Sequence, residues 1–452
     1  MIFEVRELTN LFPDYRGAGN GSIPVQAIMT DTRKDVPESM FIPIIGESFD
    51  AHKFINVAIE QGAVAALWQK DHEVPDSVPA DFPLFFVEDT TKGLQDLASF
   101  YLKKVDPLVV GVTGSNGKTT TKDMTASVLA TAYRTHKTKG NYNNHIGLPL
   151  TILDMKPDTE AVVLEMGMDR AGEISVLSRL ARPDYALITN IGESHIENFG
   201  SREGIAAAKM EIAEGLKTDG HLIIDGDEPL LEDAKKEFQS ISCGFDGKPD
   251  YLISIEQLTE ELSRFSVKGE SYELPMAGKH NVKNAAYVIA LAHKLGLSEK
   301  QIQQGFRQLE MSGMRFEKHE GVNGALVIND AYNASPTSMR AVIRVISDLS
   351  SKQEKILILG DMFELGEQSE SLHASVAEAI DEKIDAVYTI GKDSEKISEA
   401  VASKSPQTKT HHFNEKKALG HHVRSLLTSD TVVLIKASRG MKLEELLEDL
   451  VK

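Results

Sequence analysis

Short runs of aliphatic and β-branched residues alternate with stretches of helical periodicity along most of the chain, the pattern of parallel sheets flanked by helices. The runs fall into three blocks. In the first, residues 26–30, 40–45 and 63–68 are predicted strands. Residues 54–62 form a predicted helix ending on Gly62, and residues 93–104 a second helix stopped by Asp106-Pro107. The second block opens with Leu108-Val109-Val110-Gly111-Val112, a buried strand that runs into a glycine-rich turn and then a helix from Lys118. Residues 161–166, 186–191 and 221–225 supply further strands, with helices over 172–180 and 202–216 between them. The third block begins near Arg315 and repeats the alternation, with strands at 325–329, 355–359, 386–390 and 432–436. The expected fold is α/β in three domains, spanning 1–105, 106–313 and 314–452. A length of 452 residues agrees with that division, at ~150 residues per domain.

Composition narrows the functional classes. Lys plus Arg number 49 against 68 Asp plus Glu, a formal net charge of −19. A surface this acidic does not draw in nucleic acid or anionic lipid, although it leaves room for a local basic pocket around a phosphate. Cys243 is the single cysteine, so no internal disulfide forms and a reducing compartment fits. The first residues lack the basic-then-apolar order of a signal peptide, and no apolar run approaches the ~18 residues of a membrane span. The expectation is a cytoplasmic protein with no nucleic-acid partner and no membrane span.

The sharpest chemical signal is Thr113-Gly114-Ser115-Asn116-Gly117-Lys118-Thr119-Thr120, set between a strand and a helix. Glycines let backbone N–H groups turn inward around phosphate oxygens, and the following helix N-terminus adds positive potential. Lys118 is placed to reach the β- and γ-phosphates of ATP, and the Thr119 hydroxyl to ligate Mg²⁺. Gly111 lies one place too far back for the strict Gly-x4-Gly-Lys-[Ser/Thr] spacing. The blander alternative is a glycine turn that caps a helix, and the strand-to-helix context weighs against it. Leu164-Glu165-Met166-Gly167 and Thr189-Asn190-Ile191-Gly192-Glu193-Ser194-His195 follow the next strands, at the end of the sheet where such folds bind ligands. Glu165 offers hard oxygen ligands to Mg²⁺, and His195 a second metal ligand or a substrate contact. Taken singly, each is as readily a solvated loop residue; their recurrence at successive strand ends favours a site. Lys209 lies on the helix after the His195 loop, where a lysine ordinarily reaches for water.

With these residues assembled, the chain resembles the ATP-dependent Mur ligases of peptidoglycan precursor synthesis and their relative folylpolyglutamate synthase. The Thr-Gly-Ser-Asn-Gly-Lys-Thr-Thr loop, with its altered spacing, is that family's form of the motif. Other runs are similar to the branch that adds a dipeptide: Asn141-Tyr142-Asn143-Asn144-His145-Ile146-Gly147, Gly278-Lys279-His280-Asn281-Val282-Lys283-Asn284, Tyr332-Asn333-Ala334-Ser335-Pro336-Thr337-Ser338-Met339, Gly360-Asp361-Met362-Phe363-Glu364-Leu365-Gly366 and Lys436-Ala437-Ser438-Arg439-Gly440. Ala437 departs from the expected glycine.

The resemblance implies an N-terminal domain for the UDP of the substrate, a central ATPase-like domain and a Rossmann-like C-terminal domain. It implies a nucleotide-sugar site at Asp31, Thr32 and Arg33, with the 46–52 loop. Around ATP it implies Gly114, Ser115, Asn116, Gly117, Lys118, Thr119 and Thr120, with Asn281 and Asn284 at adenine, Arg315 at the γ-phosphate and Asp330 at the ribose. Thr119, Glu165, His195 and Lys209 are the implied Mg²⁺ ligands, Lys209 as a carbamate, and Lys118, Lys209, His195 and Arg315 the residues of the chemistry. Tyr332, Asn333 and Ser335 are the expected contacts of the incoming dipeptide. The implied reaction joins D-alanyl-D-alanine to UDP-N-acetylmuramoyl-tripeptide through an acyl phosphate, in a monomeric enzyme. Two alternatives remain at this stage, a related ligase adding a single amino acid and a nucleotide-driven switch.

Overall fold

A computed structural model describes residues 1–311, 313 and 315–452, so the boundary expected at residue 314 falls on a position outside the described residues. Each block builds its own sheet. The first has five strands in the order Tyr15–Arg16, Leu84–Val87, Ala63–Gln69, Ser39–Phe41, Ala27–Met29, parallel except for the first. The helix Thr90–Val105 leads out of it, starting three residues before the apolar pattern does because Asp89 caps the N–H of Lys92. Its Tyr101 hydroxyl donates to the Met155 carbonyl at 2.8 Å, fastening the first block to the second.

The central sheet has nine strands. Seven run parallel in the order Tyr251–Leu258, Ser240–Gly244, His221–Asp225, Tyr185–Ile188, Leu108–Thr113, Ala161–Glu165, Thr135–Lys137. An antiparallel meander, Tyr251–Leu258, Ser263–Val267 and Glu270–Leu274, extends the Ser240–Gly244 edge. Leu108–Thr113 leads to neighbours on both sides, which makes its carboxyl end the topological switch point of the sheet. The register lays Val112 beside Glu165 and Thr113 beside Ile188, so three strands end level around the glycine-rich loop. Alternate residues feed two separate cores: Val162 and Leu164 one, Val110, Val112 and Val163 the other. The helix Lys279–Lys294 is buried nearly all round, from Ala285 through Ala292 without interruption, as befits a helix enclosed by protein rather than laid on its surface.

The third sheet has six strands, Glu317–Glu320, Leu326–Asn329, Thr431–Lys436, Glu354–Gly360, Ala386–Ile390 and Lys409–Phe413, parallel except for the first. Several sequence expectations need correction, beginning with the strands expected over 40–45 and 186–191, which span only Ser39–Phe41 and Tyr185–Ile188. The helix expected over 202–216 is α-helical only from Arg202 to Met210 and tightens to a 3-10 turn over Glu211–Gly215. There the chain presses so close to its neighbour that a Cβ on Gly215 would stand 2.0 Å from the Ser178 carbonyl oxygen. The helix expected over 54–62 is preceded by a 3-10 turn at Ala51–Phe54 and is α-helical over Ile55–Glu60.

Candidate active site

The glycine-rich loop turns sharply at Gly114, whose φ of +147° suits only glycine, and where a Cβ would lie 1.8 Å from the Thr189 hydroxyl oxygen. Gly117, at φ +80°, lies against the Asn284 amide and begins the helix Lys118–Leu129. Thr119, in the first turn of that helix, donates its hydroxyl to Glu165 at 2.9 Å. The other Glu165 oxygen accepts from the Asn143 amide at 3.0 Å. The carboxylate is 3% exposed and is held by neutral donors, while the Lys122 ammonium stands 3.9 Å away. A carboxylate and a hydroxyl converging on a phosphate loop are hard oxygen donors, the set that suits Mg²⁺.

Two of the amines nearby, Lys118 and Lys209, make no ion pair among the described residues. Lys118 Nζ donates to the Gly114 carbonyl at 2.8 Å, and burial lowers its pKa, partly opposed by the charge of Glu165. Lys209 is 2% exposed and makes no hydrogen bond or ion pair among the described residues. Burial pushes its amine well below the ordinary lysine value, and the charge of Lys118 adds to the effect. Asn116 Nδ2 is a buried donor without a hydrogen-bond acceptor among the described residues, whereas Lys122 Nζ stands 3.4 Å from Asp123. Phosphate oxygens would satisfy donors of this kind, so the loop fits ATP on its own geometry.

A cavity of about 550 Å³ opens between the central and C-terminal blocks. It gathers Ser115, Asn116, Gly117, Lys118, Thr119, Thr120, Glu165 and His195 with Asn281, Asn284, Arg315, Asp330, Tyr332 and Asn333. Arg315 lies over the Tyr332 ring, 4.4 Å from its centroid. Asp330 pairs with the buried Lys436 at 2.6 Å and accepts the Phe316 N–H. Gly114, Lys209 and Ser335 do not line this space. Gly114 shapes the loop behind it, and Lys209 stands within electrostatic reach of Lys118. Ser335 caps the helix Pro336–Asp348 and donates to the Asn116 side chain at 3.0 Å. Thr337 and Arg340 on that helix bind Glu193 of the central block, at 2.6 and 3.2 Å, so the two blocks are joined beside the loop. His195 meets Glu364 of the C-terminal block and lies 3.4 Å from Asp169.

Asp31, Thr32 and Arg33 lie elsewhere, on the first block. Arg33 grips Asp31 through two hydrogen bonds of 2.8 and 2.7 Å, and this pairing lowers the Asp31 pKa to about 2. In the adjoining 46–52 run, Asp50 is shared between His52 and His72 at 2.7 Å each, with the two imidazoles stacked 4.0 Å apart. The residues that sequence reasoning left without a role are Asn143, Lys436, Glu193 and Lys122. The first two stood inside recognised runs, Glu193 in the loop before His195, and Lys122 carried no signal beyond its charge on a buried helix.

Comparison with known proteins now bears on this site. The Mur ligase middle domain matches residues 112–292, and the Mur ligase glutamate ligase domain matches residues 314–439. UDP-N-acetylmuramoyl-tripeptide–D-alanyl-D-alanine ligase of Bacillus subtilis (strain 168) is 47% identical over 431 residues, covering 95% of this chain and 93% of its own. The chain belongs to the Mur ligases. The Escherichia coli (strain K12) enzyme of the same name is 33% identical, over 95% of this chain and 94% of its own. A MurF crystal structure from Acinetobacter baumannii superposes with a TM-score of 0.87 at 28% identity, covering 99% of this chain and 98% of that one. MurF from Thermotoga maritima in complex with ADP gives 0.81 at 28% identity, over 94% and 97%. The α/β, three-domain fold expected from sequence is therefore that of the Mur ligases. At Ala437, where glycine was expected, the backbone does not take the left-handed conformation, so the methyl group is accommodated against Gly360 without backbone strain.

Proposed function

We propose that this Mur ligase joins D-alanyl-D-alanine to the terminal carboxylate of UDP-N-acetylmuramoyl-tripeptide at the expense of ATP, in cytoplasmic peptidoglycan precursor synthesis. The observation that carries the reading is the cavity that gathers Lys118, Thr119 and Glu165 of one block with Arg315 and Asp330 of another. The names of the relatives at 47% and 33% identity support the choice of substrates, and the ADP in the Thermotoga maritima relative supports ATP as the nucleotide. The division into 1–105 for the UDP-sugar, 106–313 for ATP and ligation, and 314–452 for closure over the nucleotide is part of this proposal. So is a monomeric state.

A free carboxylate is a poor acylating group, so the reaction first needs the γ-phosphoryl of ATP on the tripeptide carboxylate. Lys118 and Arg315 supply positive charge where three anionic partners meet. The resulting acyl phosphate is attacked by the dipeptide amine, which loses a proton as the amide C–N bond forms and phosphate leaves. The junction of the two blocks excludes water that would hydrolyse the acyl phosphate. Asn281 and Asn284 hold adenine, Asp330 the ribose, and Tyr332 and Asn333 stand toward the dipeptide, with Ser335 acting from behind the cavity wall through Asn116. Thr119, Glu165, His195 and Lys209 would hold Mg²⁺, whose charge would offset that of the phosphates. For Lys209 this requires its neutral amine to take up CO₂ and release a proton, giving a carbamate with anionic oxygens. A buried lysine with a strongly lowered pKa is primed for that step.

The test is ADP release in the presence of UDP-N-acetylmuramoyl-tripeptide, with D-alanyl-D-alanine compared against single amino acids. Release that depends on both the tripeptide and the dipeptide is expected. Equal release with a single amino acid would assign the chain to another branch, and release independent of any acceptor would point to a switch.

A further inference from the structure

His195 and Glu364 come from different blocks yet meet side chain to side chain. His195 stands before the short helix Ile196–Phe199 of the central block, and Glu364 follows the strand Glu354–Gly360 of the C-terminal block. Both have left-handed backbones, with φ of 63° and 62°. Residues with a Cβ adopt that conformation only where their surroundings hold it, and such positions concentrate at functional contacts.

The surroundings of Glu364 are unusually well tied. Asp361 accepts the N–H groups of Lys392, Asp393 and Ser394 at 2.8, 3.0 and 2.8 Å. The Met362 N–H donates to His373 and the Phe363 N–H to the Ser438 hydroxyl, both at 2.9 Å. Across the junction, the Glu197 N–H donates to the Glu364 carbonyl at 3.2 Å. Gly366 fits against Glu197 so closely that a Cβ would lie 3.2 Å from its Cγ. The Glu364 carboxylate is thus brought to Nδ1 of His195, and Asp169 Oδ1 lies 3.4 Å from the same nitrogen. The Glu364 approach is close but lacks the alignment of a hydrogen bond.

A carboxylate only accepts, so its negative charge beside Nδ1 favours the tautomer that leaves the lone pair on Nε2. Metal-binding histidines commonly have their second nitrogen oriented in this way by a carboxylate, which fixes the tautomer and the ring. Here the orienting carboxylate belongs to the other block. We propose that Glu364 is a positioning residue that fixes His195 Nε2 as the cation-ligating atom, so that cation binding and closure of the C-terminal block form one linked equilibrium. This rests on the reading of His195 as a cation ligand. Linkage is reciprocal: the cation favours the closed arrangement by the same factor by which closure favours the cation.

The experiment uses the full chain with a non-hydrolysable ATP analogue and Mn²⁺ as the probe. Free Mn²⁺ is read by electron paramagnetic resonance, and closure by the radius of gyration from X-ray scattering. Glu364→Ala is expected to weaken Mn²⁺ binding about 10–100-fold and to abolish the Mn²⁺-dependent compaction, with Tm unchanged. Glu364→Gln, which keeps the shape and one acceptor oxygen, gives a smaller loss, and Glu367→Ala on the same loop gives none. His195→Ala weakens Mn²⁺ at least as much as Glu364→Ala. If His195→Ala is weakened while both Glu364 variants bind and compact like the wild type, this inference is overturned and the ligand reading stands. If His195→Ala itself binds Mn²⁺ like the wild type, the ligand reading falls and this inference with it.

Discussion

The cavity at the junction of the central and C-terminal blocks and the charged cluster of the N-terminal block are both marked by motifs, yet they are built in opposite ways. At the junction, Lys209 is buried with no acceptor among the described residues, Lys118 donates to backbone carbonyls, and Glu165 is held by neutral donors. In the N-terminal cluster the charges satisfy one another: Arg33 grips Asp31, and Asp50 bridges two histidines. Buried groups without counter-charges carry a cost that a charged ligand relieves, so their removal changes the chemistry. A self-paired cluster must open its own bonds to receive a ligand, so its removal changes affinity. The difference separates a place for reaction from a place for grip.

Breaking that comparison begins with its strongest element. Lys118→Ala should reduce turnover by about 10²–10³-fold with the fold intact by circular dichroism, because charge is lost where the phosphoryl group transfers. Retention of more than a tenth of wild-type turnover would remove Lys118 from the chemistry. Lys209→Ala comes next, with a loss on the order of 10²-fold if it supplies a metal ligand. Formate or acetate should restore part of that rate by filling the vacated carboxylate position. An inactive variant that neither acid revives, with an unmodified amine in electron density of the wild type, would reject the carbamate.

The two arginines sharpen the contrast directly. Arg315→Ala should lower kcat. Arg33→Ala should raise the KM for the UDP-sugar about 10-fold, the worth of one charged hydrogen bond, and leave kcat and the KM for ATP in place. The reverse pattern would exchange the roles assigned to the two blocks.

The smallest effect is a pH dependence confined to the N-terminal cluster. Burial works against the charge of His72, but its contacts with Asp71 and Asp50 outweigh that and raise its pKa. The stability it adds is therefore complete below the unfolded value of about 6.5 and fades as pH rises through the raised folded value. Tm measured for wild type and His72→Asn should differ most at the acid end of that window and converge above it. A gap that widens with rising pH would contradict the pairing.

The legibility of the sequence follows the same division between local and assembled features. The strand, glycine loop and helix around Lys118 are readable because every part lies in one continuous stretch, Leu108 to Leu129. The meander over Tyr251–Leu258, Ser263–Val267 and Glu270–Leu274 is not, since Glu256, Gln257 and Glu270 face water and dilute the apolar signal. Lys409–Phe413 is an edge strand with two histidines and hides for the same reason. The 202–216 helix reads through because its apolar spacing continues past Met210, while the close approach of Gly215 to Ser178 is a tertiary fact. In the site, motifs marked Lys118, Glu165 and Arg315. Asn143 against Glu165 and Lys436 against Asp330 needed three-dimensional register, because each pair joins segments distant in the chain.

The enclosed helix Lys279–Lys294 has a thermal consequence. Its Tyr287 hydroxyl donates to the Thr189 carbonyl at 2.8 Å, Thr189 in turn donates to the Asn116 carbonyl at 2.6 Å, and Asn284 lies against Gly117. The nucleotide loop is thus propped from behind by a helix whose own position rests on core packing and on the ion pairs of Lys283 with Asp225 and Asp227. A void opened beside that helix, as by Val282→Ala, touches no reacting atom, yet warming would loosen the prop before the domain melts. Substitutions of this kind are where heat-sensitive alleles of such an enzyme should collect: active in the cold, and failing over a narrow span of temperature as the loop loses its backing.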